Sequence, residues 1–278
     1  MVLTLIASII AAPALAQKAV GNCSECNAEK AVELSPQNAT GWYIKGIALN
    51  NQSKYDEAIK AFNNAIDLNP KYAAAWYSKG VTLSNLGNND DAIKAFDKAI
   101  ELNSNYTLAL NKKGMILYNQ GKYDDAIKAF DQVIRIDPQF ADALNNKASV
   151  LGSQGKYDAA IAAFDKAIEI NPQFANAWNN KGIVLGRQNK YDDAIKAFNK
   201  AVEIEPQYLN AWYNRGITLS RQGNYDEAVK AFDKVIELEP QLGDAWFNKA
   251  NALKMLGNNT GADAAFASAK ALGYTGQS

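Results

Sequence analysis

Apolar residues return in the same two triplets along almost the whole chain. Count in steps of 34 residues from Ala39, Ala73, Thr107, Ala141, Ala175, Leu209 and Gly243. Positions 4, 8 and 11 of each step hold Trp or Leu, Gly or Ala, and Leu; positions 20, 24 and 27 hold Ala, Phe, and Ala or Val. Both triplets are spaced i, i+4, i+7, which is one face of an α-helix. The Phe series runs without a gap through Phe62, Phe96, Phe130, Phe164, Phe198, Phe232 and Phe266. Self-similarity at a fixed period of this length is the mark of a repeat protein.

The punctuation between the triplets has the same period. Position 15 is Gly in most repeats (Gly87, Gly121, Gly155, Gly223, Gly257), with Asn189 once and Ser53 as the exception. Gly or Asn there predicts a first helix ending in a left-handed residue. Acidic residues at positions 18 and 19 suit the N-terminus of a second helix through its dipole. Proline at position 32 stops that helix, because the residue before it is pushed out of the α region. Pro36, Pro70, Pro138, Pro172, Pro206 and Pro240 keep this register, and Ser104 fills the gap. Each repeat is therefore predicted as helix, tight turn, helix, stop.

The W-x3-G-x2-L…A-x3-F-x2-A…P skeleton resembles the tetratricopeptide repeat (TPR) family. The resemblance covers residues 39–272 as seven repeats: 39–72, 73–106, 107–140, 141–174, 175–208, 209–242 and 243–272. It departs from the family at position 7, usually Leu, which is Lys45, Lys79, Lys113, Lys147, Lys181, Arg215 and Lys249. A long basic side chain can bury its stem and keep its charge in water, so this series reads as structural. The resemblance implies an all-α fold, a right-handed superhelical α-solenoid of helix-turn-helix repeats, whose first helices line a concave face. The apolar pairs at positions 21 and 28 give way to Asp263 and Lys270 in the last repeat, as expected of a polar outer face at the end of a stack. Ala28–Pro36 matches the close of a second helix, so residues 28–38 read as a half-repeat covering the first full one.

Residues 3–12 are apolar but too short to span a bilayer. Ala14-Leu15-Ala16 after them has the A-x-A form of a signal-peptide cleavage site. Residues 1–16 are therefore expected to be a signal peptide, exporting the protein, or else an uncleaved segment holding it at a membrane. Residues 17–27 read as a tether and 273–278 as a tail. Cys23 and Cys26, the only two cysteines, stand in that tether and are too few for a structural zinc.

Composition narrows the chemistry. The 278 residues include 29 Lys plus Arg, 29 Asp plus Glu and no His. Zero net charge argues against a nucleic-acid partner, which calls for a basic excess. The lack of His removes the commonest general base and metal ligand. No phosphate loop or nucleophile elbow is present, so no enzyme activity, metal or cofactor is expected.

Positions 2, 6, 9 and 13 lie opposite the first triplet on a wheel of about 100° per residue. Position 6 reads Asn146, Asn180, Asn214 and Asn248 in four successive repeats, after Lys112 in the repeat before them. Asn176 and Asn210 stand at position 2, beside Asp142 and Asp244. Position 5 is Tyr43, Tyr77, Tyr213 and Phe247 towards the ends, and Asn145 and Asn179 in the middle. An amide offers donors and acceptors suited to a peptide main chain. The pattern is similar to the asparagine ladder in the TPR region of the O-linked N-acetylglucosamine transferase, without its catalytic domain. These residues are thus candidates for a concave face that binds an extended peptide, with the aromatics as anchors. The same residues also fit a merely solvated face, and the position 5 tyrosines also fit packing against the next helix. The carboxylate clamp by which some TPR domains hold chaperone tails needs Lys at positions 5 and 2, and neither occurs here. A protein or peptide ligand is the expected partner. Self-assembly and an accessory role in a membrane or secreted complex are the alternatives.

Overall fold

The computed structural model describes residues 37–274, and among them are fourteen α-helices and no strand. They fall into two bodies. The N-terminal body, ending at Asp137, holds three hairpins: α1 (Ala39–Asn51) with α2 (Tyr55–Leu68), α3 (Ala73–Asn85) with α4 (Asn89–Leu102), and α5 (Thr107–Asn119) with α6 (Tyr123–Ile136). The C-terminal body, from Pro138, holds four: α7 (Ala141–Ser153) with α8 (Tyr157–Ile170), α9 (Ala175–Arg187) with α10 (Tyr191–Ile204), α11 (Leu209–Gln222) with α12 (Tyr225–Leu238), and α13 (Gly243–Met255) with α14 (Asn259–Ala271). Residues 1–16, expected as a signal peptide, residues 17–27, expected as a tether, and residues 28–36 of the expected half-repeat lie outside the described residues, as do residues 275–278.

Within each hairpin the two predicted triplets meet. Phe62, Phe96, Phe130, Phe164, Phe198 and Phe232 are fully buried, each under the first helix of its own repeat. Position 8 explains the close approach: a Cβ on Gly182 would stand 2.6 Å from the Phe198 ring. In two repeats Ala148 and Ala250 occupy that place, both buried. The turn uses a left-handed residue at position 15 in all seven repeats, including the sequence's apparent exception. Ser53 adopts φ 59°, as does Asn189, beside glycines at φ 73–87°. The geometry of the turn overrides the residue's own preference.

Adjoining repeats inside a body are fastened by three periodic bonds. Trp Nε1 at position 4 donates to the carbonyl of the preceding proline: Trp76 to Pro70 at 3.2 Å, Trp178 to Pro172 at 3.1 Å, Trp212 to Pro206 at 2.9 Å and Trp246 to Pro240 at 3.0 Å. The basic residue at position 7 lies over that same Trp ring, 5.4 Å from its centroid in Lys181. It also pairs with position 25 of the preceding second helix: Lys113–Asp97, Lys181–Asp165 and Lys249–Asp233, each at 2.6 Å. Position 25 is Asn199 in one repeat, and there the cation is Arg215, whose Nε donates to Asn199 Oδ1 at 2.7 Å. A guanidinium offers a directed N–H to this amide and also reaches Glu227 of its own repeat, Nη2 to Oε2 at 3.4 Å. Asn63 is the other exception, and burial pulls the Lys79 pKa below the usual lysine range. Gln at position 14 completes the joint by donating to Asp at position 18 of the previous repeat, as in Gln188 to Asp158 at 2.9 Å. The position 7 series is structural, and it is held by specific partners as well as by snorkelling.

Candidate functional site

The asparagines of the C-terminal body form one connected amide chain. Asn214 Nδ2 donates to Asn179 Oδ1 at 3.1 Å, and Asn179 Nδ2 donates to Asn180 Oδ1 at 3.3 Å. Asn180 Nδ2 then donates to Asn145 Oδ1 at 3.2 Å, and Asn145 Nδ2 to Asn146 Oδ1 at 3.4 Å. The chain crosses α11, α9 and α7, alternating between position 6 of one repeat and position 5 of the one before. At the far end Asn248 Nδ2 donates to the Tyr213 hydroxyl at 3.0 Å and to the Asp244 carbonyl at 2.8 Å. First-helix residues that look merely soluble in sequence therefore fasten neighbouring first helices together.

Position 5 is where the expectation fails. Asn145 and Asn179 are buried, 8% and 4% exposed, and so is Tyr43 at 5%. They cannot lie on an open face. Position 5 is only about 60° from position 8 on the helical wheel, so it turns towards the core while position 6 turns away. The aromatics there are packing residues: Tyr43 sits against Tyr72 and Phe62, Tyr77 stacks on Tyr106, Tyr213 meets Phe232 edge-on, and Phe247 lies between Phe266 and Tyr274. Tyr77, Tyr213 and Phe247 keep partial exposure.

Position 6 differs from position 5 in its exposure. Asn146, Asn180, Asn214 and Asn248 are half-buried, each reaching the surface of its first helix. An amide has two N–H donors and two acceptor lone pairs. After the internal bonds, Asn180 retains one of each, and Asn214 retains one donor and its whole carbonyl oxygen among the described residues. Asn248 spends both donors and retains its oxygen. At position 2, Asn210 is exposed and Asn176 accepts a hydrogen bond from the Tyr208 hydroxyl. Tyr208, missed in the sequence, belongs to a position 34 series with Tyr72 and Tyr106, which pack on the position 5 rings of Tyr43 and Tyr77. Lys112 lies in the other body, exposed on α5, and is not brought to the amide chain by any bond described.

Positions 5 and 34 of the N-terminal body are mostly aromatic instead. Burial raises the pKa of Tyr43, Tyr72 and Tyr77, and Tyr106 is raised furthest by burial together with its three neighbours. The Tyr106 hydroxyl is buried without a hydrogen-bond partner. Among the described residues no cluster could hold a metal ion, and no helix is long and apolar enough to cross a membrane.

Models of the tetratricopeptide repeat match residues 45–107, 111–175 and 145–209, with further matches at 27–60, 209–242 and 231–264. No curated protein matches the sequence. Among solved structures the chain is similar to YrrB, described as a TPR protein with an unusual peptide-binding site, at 20% identity and TM-score 0.54 over 66% of this chain and 95% of that one. It is similar to MamA at 30% identity and TM-score 0.53, over 58% of this chain and 95% of that one. The APC/C hetero-tetramer Cut9–Hcn1 matches over 81% of this chain and 45% of that one, at 21% identity and TM-score 0.68. At such identities YrrB and Cut9–Hcn1 bear on the fold alone.

Proposed function

The chain belongs to the tetratricopeptide repeat family, and on that basis we propose that it is a non-enzymatic scaffold whose C-terminal body binds an extended peptide segment across α7, α9, α11 and α13. The amide chain carries this reading. Its internal bonds hold the position 6 side chains in one orientation, and leftover donors or acceptors recur on Asn180, Asn214 and Asn248 in three successive repeats. Groups fixed before binding lose little side-chain freedom on contact, which favours recognition. A main chain offers the complementary N–H and C=O groups at every residue, so affinity would depend little on the ligand's side chains. Many modest hydrogen bonds imply micromolar binding, about −8 kcal/mol. YrrB supplies a precedent in fold for peptide binding by such repeats. The apolar N-terminal segment supports a site of action outside the cytoplasm, and mature protein beginning at Gln17 would confirm it.

Truncating the ladder itself is a poor test, because Asn180 and Asn214 also join repeats. Asn210 is exposed and bonded to nothing described, so Asn210→Trp fills the face without disturbing the packing. Ala162→Trp on exposed α8 surface is the matched control. Peptides selected from a displayed random 12-residue library on the full chain should bind at least tenfold more weakly to Asn210→Trp and unchanged to Ala162→Trp. Equal effects of the two, or none, would overturn the site.

A further inference from the structure

Resting on that reading, we propose that the bound segment is acidic, with carboxylates three residues apart that meet Arg187 and Arg221. The stripe at positions 2, 6, 9 and 13 is the same on two neighbouring helices: Asn176, Asn180, Ile183 and Arg187 on α9, then Asn210, Asn214, Ile217 and Arg221 on α11. Spaced i, i+4, i+7 and i+11, the four members lie along one side of each helix. Both arginines are exposed, and neither forms an ion pair among the described residues. Arg187 Nη1 makes a single long contact, 3.5 Å to the Gly152 carbonyl.

Elsewhere in this body cations are mostly spoken for. Lys181 and Lys249 are paired across repeats, Arg215 pairs with Glu227 of its own repeat, and Lys196, Lys200, Lys230 and Lys234 pair within their own helices. A cation near a helix C-terminus suits the dipole, but that holds for every first helix. Position 13 is Asn51, Asn85, Asn119, Ser153 and Met255 in the other repeats, so the repeat does not require an arginine there. The stripe's carboxylates, Asp142 and Asp244, stand at position 2 of the flanking helices α7 and α13. Position 2 is eleven residues from position 13, about 16 Å along a helix. Asp158 and Asp192 approach this end of α9 and α11 but are bonded to Gln188 and Gln222, so neither guanidinium has a carboxylate partner of its own among the described residues.

Spacing selects the ligand's pattern. Helices in contact, as α9 and α11 are, stand roughly 8–10 Å apart. A polyproline II segment returns to the same side every three residues, about 9 Å on. Acidic residues at i and i+3 would each reach a guanidinium, which binds carboxylate with two parallel N–H bonds. The same three-residue step carries the main chain from Asn180 to Asn214.

The test uses the library selection on the full chain, with Asn210→Trp as the counter-selection. The enriched pool should contain Asp or Glu in pairs three apart. A synthetic pool peptide should bind about tenfold more tightly than its Glu→Gln analogue at physiological salt. That preference should fall to within twofold in the Arg187→Gln, Arg221→Gln double variant. Moving the second acid to i+5 should erase the gain. A pool that depends on Asn210 but is not acidic, or a preference that survives the double variant, overturns this inference and leaves the peptide face standing. Binding that is indifferent to Asn210→Trp removes the face and this inference together.

Discussion

Asn179→Ala should destabilise the protein far more than a surface asparagine would. The side chain is 4% exposed, accepts from Asn214 and donates to Asn180. Two hydrogen bonds at about 0.5–1.5 kcal/mol each set the polar loss near 2 kcal/mol. The space left by the amide adds a part of a kcal/mol, roughly in proportion to its volume. The total, about 2–3 kcal/mol, corresponds to a fall in Tm of about 4–12 °C for a chain of this size. Asn179→Leu separates the contributions, since it fills the space and still loses both bonds; about 1–2 kcal/mol is expected. Urea unfolding followed by far-UV circular dichroism and by tryptophan fluorescence gives the measurement, with Trp178 and Trp212 in the two joined repeats. A double-mutant cycle with Asn214→Ala should return a coupling of about 1 kcal/mol. Coupling under about 0.3 kcal/mol, the ordinary error of additivity, would show that the amide chain carries no energy and would remove the fixed orientation of the ladder.

Ser53→Gly should stabilise by about 0.5–1 kcal/mol, because a left-handed serine is strained and glycine is not, less glycine's greater freedom when unfolded; a lower thermal midpoint would refute it. Tyr106→Phe should raise stability by about 1 kcal/mol in calorimetry, since it removes a buried hydroxyl without a partner. Phenols whose pKa is raised on folding hold their protons more tightly when folded. Their contribution is complete below pH ~10 and is lost as pH rises through the folded values. The four tyrosines of the N-terminal body should thus ionise late, by absorbance near 295 nm. Helix should be lost in the same alkaline range, and ionisation of all thirteen tyrosines before that loss would refute the burial. Phe198→Ala, emptying the space under Gly182, should cost about 3–5 kcal/mol in urea.

The period made most of the fold legible in sequence, because packing repeats wherever the chain repeats. Trp, Gly, Phe and Pro each mark a fixed contact, and each sits where its spacing put it. The asparagine doublets were harder. Asn145 and Asn146, or Asn179 and Asn180, are chemically alike, and polarity alone assigns both to the surface. One turns to the core because it lies close to position 8, and there it serves as the acceptor for the next repeat. The wheel angle held that information; residue type concealed it. Ser53 misled in the other direction, since the turn imposes a conformation that its side chain disfavours. The partners of the position 7 cations were readable in principle from one exchange, Asn199 appearing with Arg215, because that pair departs from Lys and Asp together. The position 34 tyrosines gave no comparable signal, standing outside both triplets.

The compensated pair at Asn199 and Arg215 has a consequence for how such arrays can be rearranged. Its two halves lie in different repeats, so moving one 34-residue repeat alone would separate the guanidinium from its amide. The portable cassette is a second helix together with the first helix that follows it. Natural or laboratory recombination should therefore tolerate crossovers at the left-handed turn better than at the proline.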